Sequence, residues 1–599
     1  MKTFNNKFAK KCFIVIFSMF ILTNCTDDFL TQENPNAEES TFDELGDTEA
    51  VLTTLYNNLL NHFILDFIFE GLTSDLAAPR NTRIDVNRGQ VSFRNINNYE
   101  FDNQTASVER KWNALYRGIF LANQVIFGLE ELEPSIVSTE DRNVWVDQMA
   151  QARFFRGMYH FYLHSTYNNG NIIIKDTFIP SALETSSTVS SSADVIEFYL
   201  EDLKYAYENL PMPDAITNEE KGEVSKGVAA MLLANHYLFQ EEYASAIPLY
   251  EEVINDFGYA LADPSIMFTT AGEFNSESIF EVNYTTEVNL EQGPFDETSF
   301  HNRFAQESSL FGGDGRYLPA SWLLELYQEE PLDTITGNNN VDIVDNEGMV
   351  LGQRLRTISK RTSAMVVSIK DEESLYYGET VTNVRAGGSF RYNANRGIAL
   401  LSAFKKYTNH DIRTREQDSP DGNQRKSGKN VTILRLPEAY INYAECLIKI
   451  GGRTQEAIDA INEVRKRWDI ELIGPSNGDI TRQYNNVVYT DDTLMERLMY
   501  VEKPLELSVE GFATRTIDLR RWGIGTQRFT DLSTQVYSLE DYSPVAGGNA
   551  HASSILIKGD LGVVPHTQFE EAARNYSNFN GYLPIPQDER LNNNGLPLQ

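Results

Sequence analysis

A chain of 599 residues with 51 Lys and Arg against 86 Asp and Glu carries a net charge of −35. That balance excludes nucleic acid as a partner, since affinity there rests on neutralising phosphates. The length suffices for a large core, and the three cysteines, at positions 12, 25 and 446, leave no intramolecular disulfide once the first two are assigned below.

The first thirty residues form a secretory signal. Lys2, Lys7, Lys10 and Lys11 precede an apolar run from Cys12 to Leu22, too short for a bilayer, which needs about 20 apolar residues. Leu22-Thr23-Asn24-Cys25 then resembles a bacterial lipobox, with Asn24 in place of the usual small residue. Cleavage there removes residues 1–24 and leaves Cys25 as the lipidated first residue of the mature chain. Several acyl chains hold a protein firmly where one binds reversibly. The Asp27-Asp28 pair resembles the export tag of surface-exposed lipoproteins. No second segment is apolar enough to cross a membrane, so the expected arrangement is anchored and not spanning.

Residues 25–46 read as a polar, lipidated tether, and residues 47–599 as a single unit. Apolar residues three and four apart predict helices over 47–62, 107–132 and 139–167. Leu233, Ala234 and Tyr237 followed by Ala246, Tyr250 and Val253 fit a tetratricopeptide-like helix pair. Ala444, Ile448, Ala457, Ile461 and Val464 give a second such pair. Helical-repeat segments are therefore placed at 47–257 and 431–470. Between them, 258–430 is a loop-rich insertion with strand-like runs at Met365–Ile369 and Thr380–Val384 and a loop at Gly337–Asn340. The C-terminal segment, 471–599, shows a helix over about 493–510 and otherwise irregular chain. The predicted fold class is mainly α: about four helix pairs packed against a loop-rich variable region with small β elements.

Parts of an enzyme are hard to find. There is no Gly-x-Ser-x-Gly elbow. Gly422 and Gly428-Lys429 miss phosphate-loop spacing by one residue, and Asn430 stands where Ser or Thr must hold magnesium. His160 and His164 lie one helical turn apart among aromatics, which suits a core more than a metal. Asp342, Asp345 and Glu347 form a weak calcium candidate without EF-hand spacing. No catalytic residue and no cofactor is expected.

Several motifs, in order along the chain, resemble the SusD/RagB family of nutrient-binding outer-membrane lipoproteins. They are Cys25-Thr26-Asp27-Asp28-Phe29-Leu30 with Pro35, Trp112 to Ile119 with Ala122-Asn123, and Ala152 to Tyr159. Gly222 to Ala230, Leu434 to Tyr440 with Ala444-Glu445, Glu506 to Gly511, Asp518 to Trp522 and Tyr582 to Pro586 complete the set. The resemblance implies a lid on a SusC-like TonB-dependent transporter, facing the cell exterior, that captures an oligosaccharide or, in some members, a peptide. A surface glycoside hydrolase is the alternative from another class. Read from the residues alone, Trp112, Tyr116, Tyr440 and Trp522 are core anchors, while Arg153, Arg156, Arg435 and Glu445 are buried ion-pair members.

Sugar recognition needs flat aromatic faces and planar polar groups. Two windows rich in both are the expected ligand-binding segments. Phe69–Asn103 offers Asp75, Arg83, Tyr99 and Asn103, and Phe295–Trp322 offers Phe300, Arg303, Phe304, Tyr317 and Trp322.

Overall fold

Eight helices carry the apolar stripes read from the sequence, and they pack in chain order as four antiparallel pairs. They are α1 (Leu45–Asn58), α2 (Ala106–Leu132), α3 (Thr139–Thr166), α4 (Ser192–Asn209), α5 (Lys226–Phe239), α6 (Tyr243–Asn255), α7 (Leu436–Ile450) and α8 (Thr454–Arg467). The computed structural model describes residues 42–79, 91–178, 186–218, 220–287, 299–345, 347–381, 383, 391–393, 398–400, 402–416, 426–537, 542–546, 553–558, 567–579 and 581–596. The signal peptide, Cys25, the acidic export pair, nearly all of the tether and Arg83 lie outside the described residues. α1 begins at Leu45, two residues before the predicted helix start at 47.

Local chemistry sets the helix ends. Ser138 accepts a hydrogen bond from the Asp141 amide and starts α3, and Ser191 does the same for α4 through Asp194. Within α2, Val108, Trp112, Leu115, Ile119, Ala122 and Leu129 are buried on one face. That face meets α3 closely: a Cβ on Gly118 would sit 2.2 Å from the Tyr159 ring. Trp112 is buried, Tyr116, Tyr440 and Trp522 pack partly buried against the core, and Cys446 is wholly inside. The predicted ion pairs also form. Arg153 and Arg156 both reach Asp202 at 2.7 Å, and Glu445 accepts from Arg521 and, at 2.7 Å, from the Trp522 indole.

α6 and α7 are neighbours in space although residues 256–435 separate them in sequence. The chain between them leaves and returns at one place, because strand Ser278–Val282 pairs antiparallel with Val431–Arg435. Inside this insertion lie small two-stranded units. Val366–Ser368 pairs with Ser402–Phe404, and Asn340–Val344 with Val350–Leu355. Of the run at Thr380–Val384, Thr380 ends the short strand Glu379–Thr380, paired with Leu375–Tyr376, and residues 382 and 384 lie outside the described residues.

The C-terminal segment is more regular than its sequence suggested. Helix 493–510 divides into Asp491–Arg497, a π turn over Leu498–Glu502, and Lys503–Leu507. Four further helices follow among the described residues, α9 (Thr514–Arg521), α10 (Gly525–Thr534), α11 (Glu570–Phe579) and α12 (Gln587–Asn592). Tyr542–Ala546 and Ser553–Lys558 pair as a hairpin, and the second of these strands also pairs with Arg391–Asn393 of the insertion. The charges of α9 hid its burial: Arg515 and Asp518 are inside, each matched by a residue distant in sequence.

A buried ionic network joins the parts. Glu506 accepts from Arg435 at 2.6 Å, Arg467 and Trp468 at 2.8 Å and Arg361 at 3.3 Å. Glu502 accepts from Arg465 and Arg497, both at 2.8 Å. These residues come from the insertion, the last helix pair and the C-terminal segment. Burial would push both carboxyls up; the surrounding guanidinium groups override it and hold each at about 2.

Candidate functional site

An open cleft of about 710 Å³ lies in the insertion, a volume within the range of small-ligand sites. One wall is the short helix Lys360–Met365, started by Ser359, whose hydroxyl accepts from the Thr362 amide. This helix runs directly into strand Val366–Ser368, and its antiparallel partner ends at Phe404. Lys405, the next residue, is fixed there by its amide, which donates to the Met365 carbonyl. Residues of the 263–269 loop line it too, and Asn338 and Asp469, bonded to each other at 2.8 Å, form one end. Asn339 holds that end by donating to the carbonyls of Asp333 and Asp469 at 2.8 and 2.6 Å.

The lining is polar. Lys360 and Asp469 form an ion pair at 2.7 Å, and Asp411 pairs with Lys429 at 2.8 Å. Burial raises the Asp411 carboxyl, but Lys429 outweighs it and the group stays below its usual range. Burial, then the charges of Lys405 and Lys429, drive His410 well below its ordinary value, so its imidazole is neutral. Lys405 is pushed down to about 8 by burial. Apolar contact comes from Met267, Leu375 and Ala364. A second pocket, of about 310 Å³, has the aromatic character instead: Tyr99, Phe101, Phe579 and Tyr582 line it with Asn168 and Asn169.

A family model described as "SusD family" matches residues 276–597, more than half of the chain. The chain belongs to the SusD family. A further model, "Starch-binding associating with outer membrane", matches residues 28–238. The SusD-like protein P2 of Formosa agariphila is 22% identical over 539 residues, covering 87% of this chain and 92% of that protein. A SusD superfamily protein from Bacteroides vulgatus superposes with a TM-score of 0.66 at 20% identity, covering 93% of this chain and 98% of its own. A laminarin-binding SusD-like protein superposes with a TM-score of 0.60 at 18% identity, over 92% and 98%. At these identities the superpositions speak to the fold, the helical-repeat architecture of SusD superfamily structures.

Within this SusD fold, the two expected ligand windows do come together, since Ala77–Pro79 pairs antiparallel with Tyr317–Pro319. They meet as core, not as a surface platform. Asp75 is fully buried, accepting from Arg515 at 2.7 Å and Arg528 at 2.8 Å. Trp322 is 8% exposed, donates its indole N–H to the Asp75 carbonyl and is covered by the Arg528 guanidinium 4.1 Å from its ring. Tyr317 and Phe304 are buried, the first bonded through its hydroxyl to Ser308. Tyr99 is 8% exposed, and its hydroxyl donates to the Thr73 carbonyl; it is the one of these residues that lines a described pocket, the smaller one.

The remaining expected residues are partly exposed. Arg303 pairs with Glu307 at 3.0 Å and meets the His62 ring nitrogen at the same distance. Phe300 and Asn103 engage through their carbonyls, which accept from Thr285 and Gln587. The calcium candidates stand apart from one another in role. Asp342 accepts from Gln353 across the hairpin, while Asp345 caps the turn by accepting from the amides of Glu347 and Met349. No group of three or more His, Cys, Asp or Glu is arranged to hold a metal among the described residues. His160 is a core histidine: its Nδ1 faces the Arg156 carbonyl and its Nε2 accepts from the Lys175 amide.

Sequence reading missed the cleft. Its polar groups are scattered from Asp263 to Asp469, and none sits in a motif. The available signal was Lys405-Lys406 at the end of an apolar run, a pair of cations inside the insertion of an acidic chain.

Proposed function

We propose that this protein is a cell-surface glycan-binding lipoprotein that captures oligosaccharides and passes them to a SusC-like TonB-dependent transporter in the outer membrane. The observation that carries the reading is the open, polar cleft of about 710 Å³ in the insertion of a SusD-family chain. Hydroxyl-rich ligands are recognised by planar and charged groups that pair with adjacent hydroxyls, and Asn338, Arg356, Asp263 and Asp469 supply them. The name of the laminarin-binding structural relative agrees with a carbohydrate ligand. Cys25 anchors the chain through its acyl groups, and the acidic pair after it directs the protein outward. The family is one of binding proteins, and the role proposed here needs no catalytic group.

The test is affinity electrophoresis of the mature chain, expressed without residues 1–24 and therefore without lipid, through gels containing single polysaccharides. Retardation in one gel and not in others establishes glycan binding. Retardation in none, with peptides binding in a calorimeter, replaces it with peptide capture. New reducing ends after incubation with a polysaccharide would mark a hydrolase instead. Cys25→Ala in the full-length chain should release the protein from the membrane fraction.

A further inference from the structure

Charge matching in the cleft is incomplete. Of its cations, Lys360 is neutralised by Asp469, and Asp411 is taken by Lys429 from behind. Two more cations, Lys405 and Arg356, line the cleft. Both are held by Ser363: the Lys405 ammonium donates to its carbonyl at 2.8 Å, and the Arg356 guanidinium donates to its hydroxyl at 2.9 Å. Their other bonds go to the Ser374 hydroxyl at 3.4 Å and the Ile358 carbonyl at 3.3 Å. Neither has a carboxylate oxygen within 4 Å among the described residues.

An ammonium has three donors and a guanidinium five. Lys405 therefore keeps one N–H and Arg356 three without an acceptor among these bonds, next to open cavity. Asp371, the carboxylate that stands behind Ser374, is already occupied by the amides of Glu373 and Ser374 and by the Ser374 hydroxyl. Asp263, across the cleft, accepts from the amide and hydroxyl of Ser265. Lys405 is 3% exposed. A buried cation without a counter-charge is costly, and an incoming anion removes that cost. In a protein with a net charge of −35, a cleft that holds two uncompensated cations selects against the background field.

We propose that the cleft takes an acidic saccharide, whose carboxylate or sulfate substituent is received jointly by Lys405 and Arg356. This inference rests on the glycan-binding reading and names its substrate class. Arg356 presents the planar fork suited to a two-oxygen acceptor, and Lys405 adds a point charge from the floor. Lys360 stays with Asp469 and orders the rim. Neutral sugars would fill the same space while leaving both cations uncompensated.

The experiment compares matched gels at pH 7: polygalacturonate against its carboxyl-reduced form, and carrageenan against its desulfated form, with laminarin as a neutral glycan. The mature chain should be retarded at least tenfold more strongly by one acidic polymer than by its neutral counterpart. The polygalacturonate and carrageenan arms separate a carboxylate from a sulfate. Lys405→Met and Arg356→Gln should each reduce that retardation at least tenfold, with melting temperature unchanged or raised for Lys405→Met. Equal retardation by an acidic polymer and its neutral form, or binding of neutral glycans only, overturns the inference while the glycan reading stands. Absence of retardation in every gel overturns both.

Discussion

Asp75 shows how a residue suited to sugar binding by type serves the core by position. Burial would raise its carboxyl, but Arg515 and Arg528 override this and hold it at about 2. A carboxyl depressed below its unfolded value adds stability above that value and loses it as pH falls through the folded one. Asp75→Ala leaves two guanidinium groups facing a buried gap and should cost about 3–5 kcal/mol at pH 7. Urea unfolding should show that loss, with the difference from the parent shrinking as pH approaches 2. Glycan retardation of the folded variant should be unchanged. Lys405 has the opposite relation to pH. It is charged below about 8 and faces Arg356, Asp371, Asp411 and a neutral His410, so binding of an acidic polymer should weaken as pH rises above 8. A bound anion favours the ammonium and moves that loss upward. Titrating the interaction from pH 7 to 9.5 checks this, and Lys405→Met should give a flatter profile.

Helices with strong apolar periodicity were legible to within a few residues. Those predicted at 107–132 and 139–167 occur at Ala106–Leu132 and Thr139–Thr166. Their stripes are local facts of the chain, and Ser138 states where α3 begins. The closeness of their packing is written at Gly118, where a methyl group would meet the Tyr159 ring at 2.2 Å. Alanine is about 1 kcal/mol better than glycine inside a helix. Overpacking costs about 1–3 kcal/mol, so Gly118→Ala should lower the melting temperature despite its better propensity. A raised melting temperature would mean that the ring yields freely. The C-terminal helices after Leu507 were not legible. α9 carries Arg515, Asp518, Arg520 and Arg521 in eight residues, a composition that reads as surface until Asp75, Lys503 and Glu445 are brought against it. Likewise the two aromatic windows read as loops, since their short helices and strands are stabilised by contacts across hundreds of residues.

At the scale of the molecule, the network around Glu502 and Glu506 makes the insertion and the helical repeat depend on one another. Arg361 and Glu330 come from the insertion, Arg465 and Arg467 from α8, and both glutamates from the C-terminal segment. Scanning calorimetry should therefore show a single cooperative transition, not separate melting of insertion and scaffold. Glu506→Ala should destabilise the whole by about 3–5 kcal/mol, because it removes the buried carboxylate that Arg361, Arg435 and Arg467 share and leaves them to Glu330, Glu510 and Glu277. Both carboxyls are depressed, so this part of the stability is present above about pH 4.5 and falls away toward pH 2. Two resolved transitions, with Glu506→Ala affecting only one, would show that the parts fold separately.

The sequence by itself determined the helical repeats and the family, because each is written in neighbouring residues or in order along the chain. It also marked Arg153, Arg156, Arg435 and Glu445 as ion-pair members, and all four have carboxylate or guanidinium partners, with Arg156, Arg435 and Glu445 buried. Only the tertiary structure decided which polar groups face a cleft and which face a counter-ion. Asp75 and Lys405 look alike as candidates in one dimension. Asp75 is closed off by two arginines from 440 and 453 positions away, while Lys405 lines a cavity and has no carboxylate oxygen within 4 Å among the described residues. That difference is set by chain reversal over long distances, where neither composition nor periodicity carries a signal.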